Sequence, residues 1–316
     1  MIENARSHSG PIGVPLDKAL GLDGDDALDE LWPETQQAIE AQGLTKVVRI
    51  DRGGYGAVYR ATDRTTNNDR AVKIFLRPDD RARYADGDLK YDRPEDEERL
   101  RYFQREARIL DAPELPQRLA PKLYNSFHGD GIQPFLVMEW INGSSLADFL
   151  ENHPGLPRDR REMLCRNIWS AYARLHGANL LHRDPSLKNI MVEAVGKDYR
   201  VRLIDFSGSA RAAPGYKSLN SFSKVPTTLK FASAAVARLE RKPTIADEVH
   251  AVAKICFTVL TGKLAADVPQ CDWEKLLKEA RVPRDTSRLL LPKMNEPPSH
   301  VIAASTVGET PHEPEA

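Results

Sequence analysis

The sequence predicts an α+β fold, with a small β-rich lobe first and a mainly helical lobe after it. From Leu44 come three short β-branched runs, "LTKVVRI", "GAVYRAT" and "RAVKIFL", broken by turn residues such as "TNND", which read as an antiparallel meander. One helix follows, because "PEDEERLRYFQREARIL" has a proline start and sets Leu100, Phe103, Ala107 and Leu110 at helical spacing. Beyond residue 142 the patterns are predominantly helical, and "REMLCRNIWSAYARLHGANLL" and "ADEVHAVAKICFTVLTG" are amphipathic or nearly wholly apolar.

The other elements follow in order. Residues 1–43 are Gly- and Asp-rich and read as an acidic extension with one short helix, opened by Pro33 and closed by Gly43. Two readings of that helix stand side by side: a solvated tail, or an element that docks Leu28, Leu31, Trp32 and Ile39 on the neighbouring lobe. Residues 77–98 form a highly charged insert, and "KLYNSF" and "FLVMEWI" supply two further strands. The division is therefore an extension over 1–43, a β-rich lobe over 44–142, a helical lobe over 143–285 and a Pro-rich, largely disordered tail over 286–316.

Composition excludes several function classes. Lys and Arg total 45 against 46 Asp and Glu, so the balance gives no reason to expect nucleic acid or an anionic membrane as the main partner. Hydrophobic content of 41% with 29% charged residues fits a soluble globular protein. The three cysteines, Cys165, Cys256 and Cys271, lack CxxC spacing, which argues against a zinc site or a disulfide framework and suits a reducing compartment. No apolar run is long enough to span a bilayer and "MIENARSHSG" lacks a secretory core, so the expected setting is cytosolic, or another cell reached by a signal-less route.

Three stretches carry chemistry. In "DRGGYGAVYR", Gly53, Gly54 and Gly56 let backbone amides approach phosphate oxygens, and the turn joins strand to strand, unlike dinucleotide or Walker loops, which lead into a helix. Lys73 follows seventeen residues after Gly56 in "AVKIF", a cation inside an apolar strand that is costly unless it is paired or reaches an anion. "HRDPSLKN" places an Asn five residues after an Asp in a turn between a helical and a strand-like pattern.

In that order and with tolerable spacing, "GGYGAVYR", "AVKIF", "FQREARIL", "FLVMEW", "HRDPSLKN", "IDFSGSA" and "VAKICFTVLTG" resemble the eukaryotic-type protein kinases from about Val47 to Gly262. The resemblance implies a bilobal kinase fold, with residues 44–142 as N-lobe and hinge and 143–285 as an abbreviated C-lobe, and an ATP-dependent transfer of phosphate to protein hydroxyls. It implies that Lys73 holds the α- and β-phosphates and that Glu106, in an "FxxExxxL" setting, pairs with Lys73; Glu97 and Glu98 are rivals for that place. Met138 corresponds to the gatekeeper, the Glu139 and Ile141 backbones to the adenine contacts, and Val58 and Ala71 to the apolar walls around the base. Asp184 corresponds to the catalytic-loop Asp that accepts the hydroxyl proton, while Asn189 and Asp205 correspond to the magnesium ligands, manganese being a substitute cation.

Four positions depart from the family pattern. Asp51 stands at the first glycine of the phosphate loop, and Ser207 replaces the glycine after Asp205-Phe206. Ser186 stands where many Ser/Thr kinases have lysine, while Lys188 resembles an arginine site of tyrosine kinases and is placed to reach the γ-phosphate. "FASAAV" puts Ala235 where the family has glutamate, and His300 and Val301 fall where its arginine partner is expected, so both halves of that buried pair are missing together. Glu248 takes the place of the acid that braces the catalytic loop, with Asp247 as the alternative. Thr228 matches a Ser/Thr-kinase threonine able to bond Asp184 and Lys188, which favours Ser/Thr acceptors. The expected function is a protein Ser/Thr kinase that also phosphorylates itself; the alternatives are a small-molecule kinase of the aminoglycoside or choline type and a pseudokinase scaffold.

Overall fold

A computed structural model of the chain describes residues 31–52, 56–76, 94–129, 131–212, 230–238 and 243–295. The architecture is bilobal: one compact unit gathers Met1–Asp96 with Phe127–Phe135, the other Glu97–Ser126 with Leu136–Ala316. The first holds a small antiparallel sheet, and the second is mainly helical.

In the first unit, helix α1 (Pro33–Ala41) starts on a proline at N1, where a missing N–H costs nothing, and ends before Gly43, whose φ of 76° is left-handed. Thr35 and Ile39, one turn apart, are fully buried and Trp32 is nearly so, so the helix is docked rather than solvated. Thr35 Oγ1 accepts from the Gln133 amide at 2.8 Å and the Gln133 side-chain oxygen accepts from the Trp32 amide at 3.2 Å, which satisfies the polar groups that docking buries. Leu31 is half-buried and Leu28 lies outside the described residues.

Strands β1 (Leu44–Arg52), β2 (Gly56–Asp63) and β3 (Asp69–Phe75) pair antiparallel. The period of two divides β2 and β3 into faces: Ala57, Tyr59, Ala61, Val72 and Ile74 are buried, while Val58, Ala71 and Lys73 lie on the opposite face. The register pairs Val58 with Lys73 and Arg60 with Ala71, so these three residues are near neighbours. The β2–β3 turn closes on Asp63, whose Oδ1 accepts from Thr65 N and Thr66 N, with Asn67 at φ 53°.

In the second unit, most of helix α2 (Pro94–Leu110) buries Tyr102, Phe103, Glu106, Ala107 and Leu110 along one stripe. Strands β4 (Leu123–Phe127) and β5 (Phe135–Glu139) lead to β6 (Ser144–Ser145), helix α3 (Leu146–Asn152) and helix α4 (Arg158–Gly177). A two-stranded ladder joins β7 (Leu180–Leu181) to β10 (Ala210–Arg211), and a three-stranded sheet runs β6, β8 (Ile190–Val195), β9 (Asp198–Leu203) in the order β6-β8-β9. The short helix α5 (Ala234–Ala237) precedes helix α6 (Ile245–Thr261), the core of this unit, in which twelve residues from Asp247 to Leu260 are buried. Helix α4 packs on it, with Cys165 and Cys256 side by side as free thiols. Helices α7 (Trp273–Glu279) and α8 (Arg284–Met294) complete the unit.

Helix α8 corrects the boundary expected at 285, because ordered structure continues to Asn295. Leu290 and Met294 are buried, and the Asn295 carbonyl bonds His250 Nδ1 of α6 at 3.0 Å. Apolar packing outweighs Pro292 inside the helix. No helix among the described residues is long and apolar enough to cross a membrane.

Gly56 has a steric reason to be glycine, since a Cβ there would lie 2.3 Å from the Ile74 carbonyl oxygen. Gly56→Ala is expected to destabilise the fold by about 1–3 kcal/mol through forced separation of β2 and β3; urea denaturation checks this, and an unchanged midpoint would remove the steric account.

Candidate active site

The turn "HRDPSLKN" follows β7 and precedes β8, and its backbone is held from both sides. The Arg183 amide donates to Glu248 Oε1 at 2.5 Å, and the other carboxylate oxygen takes the Nε2 of His176, from α4, at 2.7 Å. Glu248, 2% exposed, is thus the acid that braces the loop. Its neighbour Asp247 accepts instead from Thr244 N and Thr244 Oγ1, closing a capping box at the start of α6, and from Ser233 Oγ at 2.6 Å.

His182 is fully buried, its ring tilted against Phe206 at 4.9 Å. Its Nδ1 accepts from the Asp184 amide at 3.4 Å, leaving Nε2 to donate to the Ile204 carbonyl at 2.9 Å. The Ser209 hydroxyl donates to the His182 carbonyl. The loop and the stretch after β9 are therefore locked together around one imidazole.

Asn189 and Asp205 are brought together by the β8–β9 hairpin. The register pairs Ile190 with Leu203, and the Ile204 amide donates to the Asn189 carbonyl at 3.0 Å, so Asp205 starts one residue from that bond. The Asn189 side-chain nitrogen donates to Asp184 Oδ2 at 2.8 Å and to the Asp184 carbonyl at 3.0 Å. Both donors of that amide are spent on Asp184, so its oxygen is the end left for a cation. An amide oxygen and one carboxylate are hard donors, as few as magnesium needs when phosphates and water supply the rest, so the residues fit that ion. Ser186 is buried and its hydroxyl accepts from the Asn189 amide, while Lys188 is exposed.

Arg183 and Asp205 adopt φ of 70° and 62°, strained for residues with a Cβ. Ser207 is not among the described positive-φ residues, so the glycine replacement there meets no backbone conflict. Burial lowers the pKa of the Arg183 guanidinium, and the charge of Arg105 on α2 lowers it further. Burial also pushes the Tyr172 phenol well above its usual range, helped by Glu248 and Asp184.

Met138 and Ile141 are buried, and the Glu139 amide donates to Lys122 O. The Glu139 carboxylate takes both Arg202 Nη atoms, at 3.1 and 2.7 Å, and the Lys122 amide. The Arg202 hydrogen bond holds this carboxyl below its ordinary pKa against the opposing effect of burial. On the same helix, Glu97 pairs with Arg101, Glu98 accepts from the Tyr102 hydroxyl and Glu106 is buried. Gly53, Gly54, Thr228, His300 and Val301 lie outside the described residues.

Residues 44–300 match the family model described as "Protein kinase domain". The chain belongs to the protein kinase family. This kinase chain is 30% identical over 262 residues to "Serine/threonine-protein kinase F" of Synechocystis sp., covering 77% of this chain and 50% of that protein. It is 27% identical to "Serine/threonine-protein kinase pkn2" of Myxococcus xanthus, over 72% of this chain and 25% of that protein. It is 30% identical to "Serine/threonine-protein kinase PknL" of Mycobacterium bovis, over 68% of this chain and 48% of that protein. The kinase chain spans half or less of the length of these relatives.

Motif reading did not find Arg202, Ser233 or His176. Arg202 carried a signal, a cation inside the apolar run "VRLIDF", of the kind that singled out Lys73. Ser233 and His176 carried none, because their partners lie 14 and 72 residues away. Glu248→Ala is expected to cost about 3 kcal/mol, since it strands a buried amide and a partly buried imidazole; thermal unfolding with circular dichroism checks it, and a change below about 0.5 kcal/mol would contradict the bracing role.

Proposed function

We propose that this kinase transfers the γ-phosphate of ATP to serine and threonine hydroxyls of proteins, its own chain included. The observation that carries the reading is the Asp184–Asn189 hydrogen bond, set beside Asp205 by the β8–β9 hairpin. Asp184 then accepts the proton of the attacking hydroxyl, and its fixed carboxylate limits the reorganisation needed at the moment of transfer. Asn189 and Asp205 hold magnesium, which when bound neutralises charge on the phosphates. Lys73 is assigned to the α- and β-phosphates, Glu106 to orienting Lys73, and Gly53, Gly54 and Gly56 to the phosphate loop. Val58, Ala71, Met138, Glu139 and Ile141 are assigned to the base. The shared face of Val58, Ala71 and Lys73 supports that assignment.

The acceptor class rests on the Ser/Thr kinases among the relatives and on Thr228 as read from the sequence, which outweighs Lys188, whose place resembles that of tyrosine kinases. A cytosolic setting is in keeping with free thiols at Cys165, Cys256 and Cys271.

Incubation of the purified chain with labelled ATP and magnesium, followed by phosphosite mapping, tests the reading. The expected result is label on Ser and Thr; label mainly on tyrosine, absent from Asp184→Asn, would overturn the acceptor class. Asp184→Asn, Asp205→Asn and Lys73→Met are each expected to lose at least about a hundredfold in turnover while remaining folded. Near-normal turnover in folded Asp184→Asn would remove the catalytic assignment.

Arg183, close to Arg105 and largely buried, suits capture of a phosphate on the segment after Asp205, which carries Tyr216, Ser218, Ser221 and Ser223; Ser209, expected in the same set, is fully buried on the His182 carbonyl and drops out of it. Phosphatase-treated protein is expected to show a lag before full activity. Full initial velocity without a lag would mean that this switch does not operate.

A further inference from the structure

The end of the segment that follows Asp205 is tied to helix α6 by one buried hydrogen bond. Ser233 is fully buried and stands at the N-cap of α5, yet its hydroxyl does not cap that helix. It donates instead to Asp247 Oδ1 at 2.6 Å, whose other oxygen is committed to the capping box of α6. Asp247 is 4% exposed, so Thr244 and Ser233 hold a carboxylate that solvent scarcely reaches. Ala234 and Ala235, next in the chain, have no polar side chain for such an anchor.

The neighbouring acid does the matching task for the catalytic loop, since Glu248 holds the Arg183 amide. Arg183 and Pro185, the residues on either side of Asp184, line a small cavity together with Ala232, Ser233 and Val236 of the segment end. Two successive residues of one helical turn therefore set the segment end and the base-bearing loop relative to each other. A protein acceptor must place its hydroxyl against Asp184 while its chain lies on the surface formed there, whereas the nucleotide contacts assigned above do not involve Ser233.

We propose that Ser233, through its hydrogen bond to Asp247, is a positioning residue for the protein acceptor. The inference rests on the protein-kinase reading given above. It is distinct from general stability, because loss of the bond should affect one substrate and not the other.

The test is steady-state kinetics of the full chain with dephosphorylated casein as acceptor, varying casein and ATP separately, for the parent, Ser233→Ala and Ser233→Thr. Ser233→Ala is expected to raise KM for casein about tenfold, the effect of losing one hydrogen bond to a charged group, with KM for ATP within about twofold of the parent. Ser233→Thr, which keeps the hydroxyl, should restore most of the loss. An unchanged casein KM in Ser233→Ala overturns the inference, as does an equal loss toward both substrates or a Ser233→Thr as impaired as Ser233→Ala. A parent chain that transfers no phosphate to casein or to itself overturns the protein-kinase reading and this inference with it.

Discussion

Two adjacent buried carboxylates at the start of α6 organise the catalytic half of the molecule. Taking an ionised carboxylate out of water costs several kcal/mol unless donors replace the lost hydration. Among the described residues Glu248 finds the Arg183 amide and His176, and Asp247 finds Thr244 and Ser233. Each donor belongs to a different stretch of chain or to the helix start itself, so satisfying the acids draws α4, the catalytic loop and the segment end to one turn. The helix can bear this because the rest of it is buried apolar surface, which makes it a rigid support.

That support offsets strain in the loop it holds. Arg183 and Asp205 both adopt left-handed backbone, at a cost of about 1–2 kcal/mol each. Arg183 is held there by Glu248, and Asp205 by the hairpin register that ends at the Ile204 amide. Between them the Asp184 carboxylate takes its position from Asn189. The strained residues flank Asp184, the residue assigned as base, and the contacts that hold them come from buried elements of the unit.

A second paired charge steadies the strand assigned to the nucleotide base. Arg202, 3% exposed, meets Glu139 through both Nη atoms and the Ala120 carbonyl through one of them. Glu139 carries the Lys122 amide as well. The depressed Glu139 pKa gives the pair a sign in pH: its stabilisation is present above the ordinary glutamate range and is lost as pH falls through the lower folded-state value. Partial exposure of the Glu139 side chain keeps that contribution modest.

The sequence alone determined most of the elements and named the residues to which chemistry is assigned. Periodicity placed helix Pro94–Leu110 at its observed bounds, because proline starts and apolar spacing are local signals. The strands followed for the same reason, and "HRDPSLKN" with "IDFS" marked residues that the hairpin does bring together. Local signals could not separate a docked α1 from a solvated one, since Trp32 and Thr35 look alike in both until Gln133, about a hundred residues away, supplies their partner. They placed the tail too early as well, because the proline and lysine of "LLLPKM" weigh against a helix that only packing on α6 sustains. Between Asp247 and Glu248 the sequence left two candidates for one task; tertiary structure gave each its own, because the direction in which a buried carboxylate points is decided by donors distant in the chain.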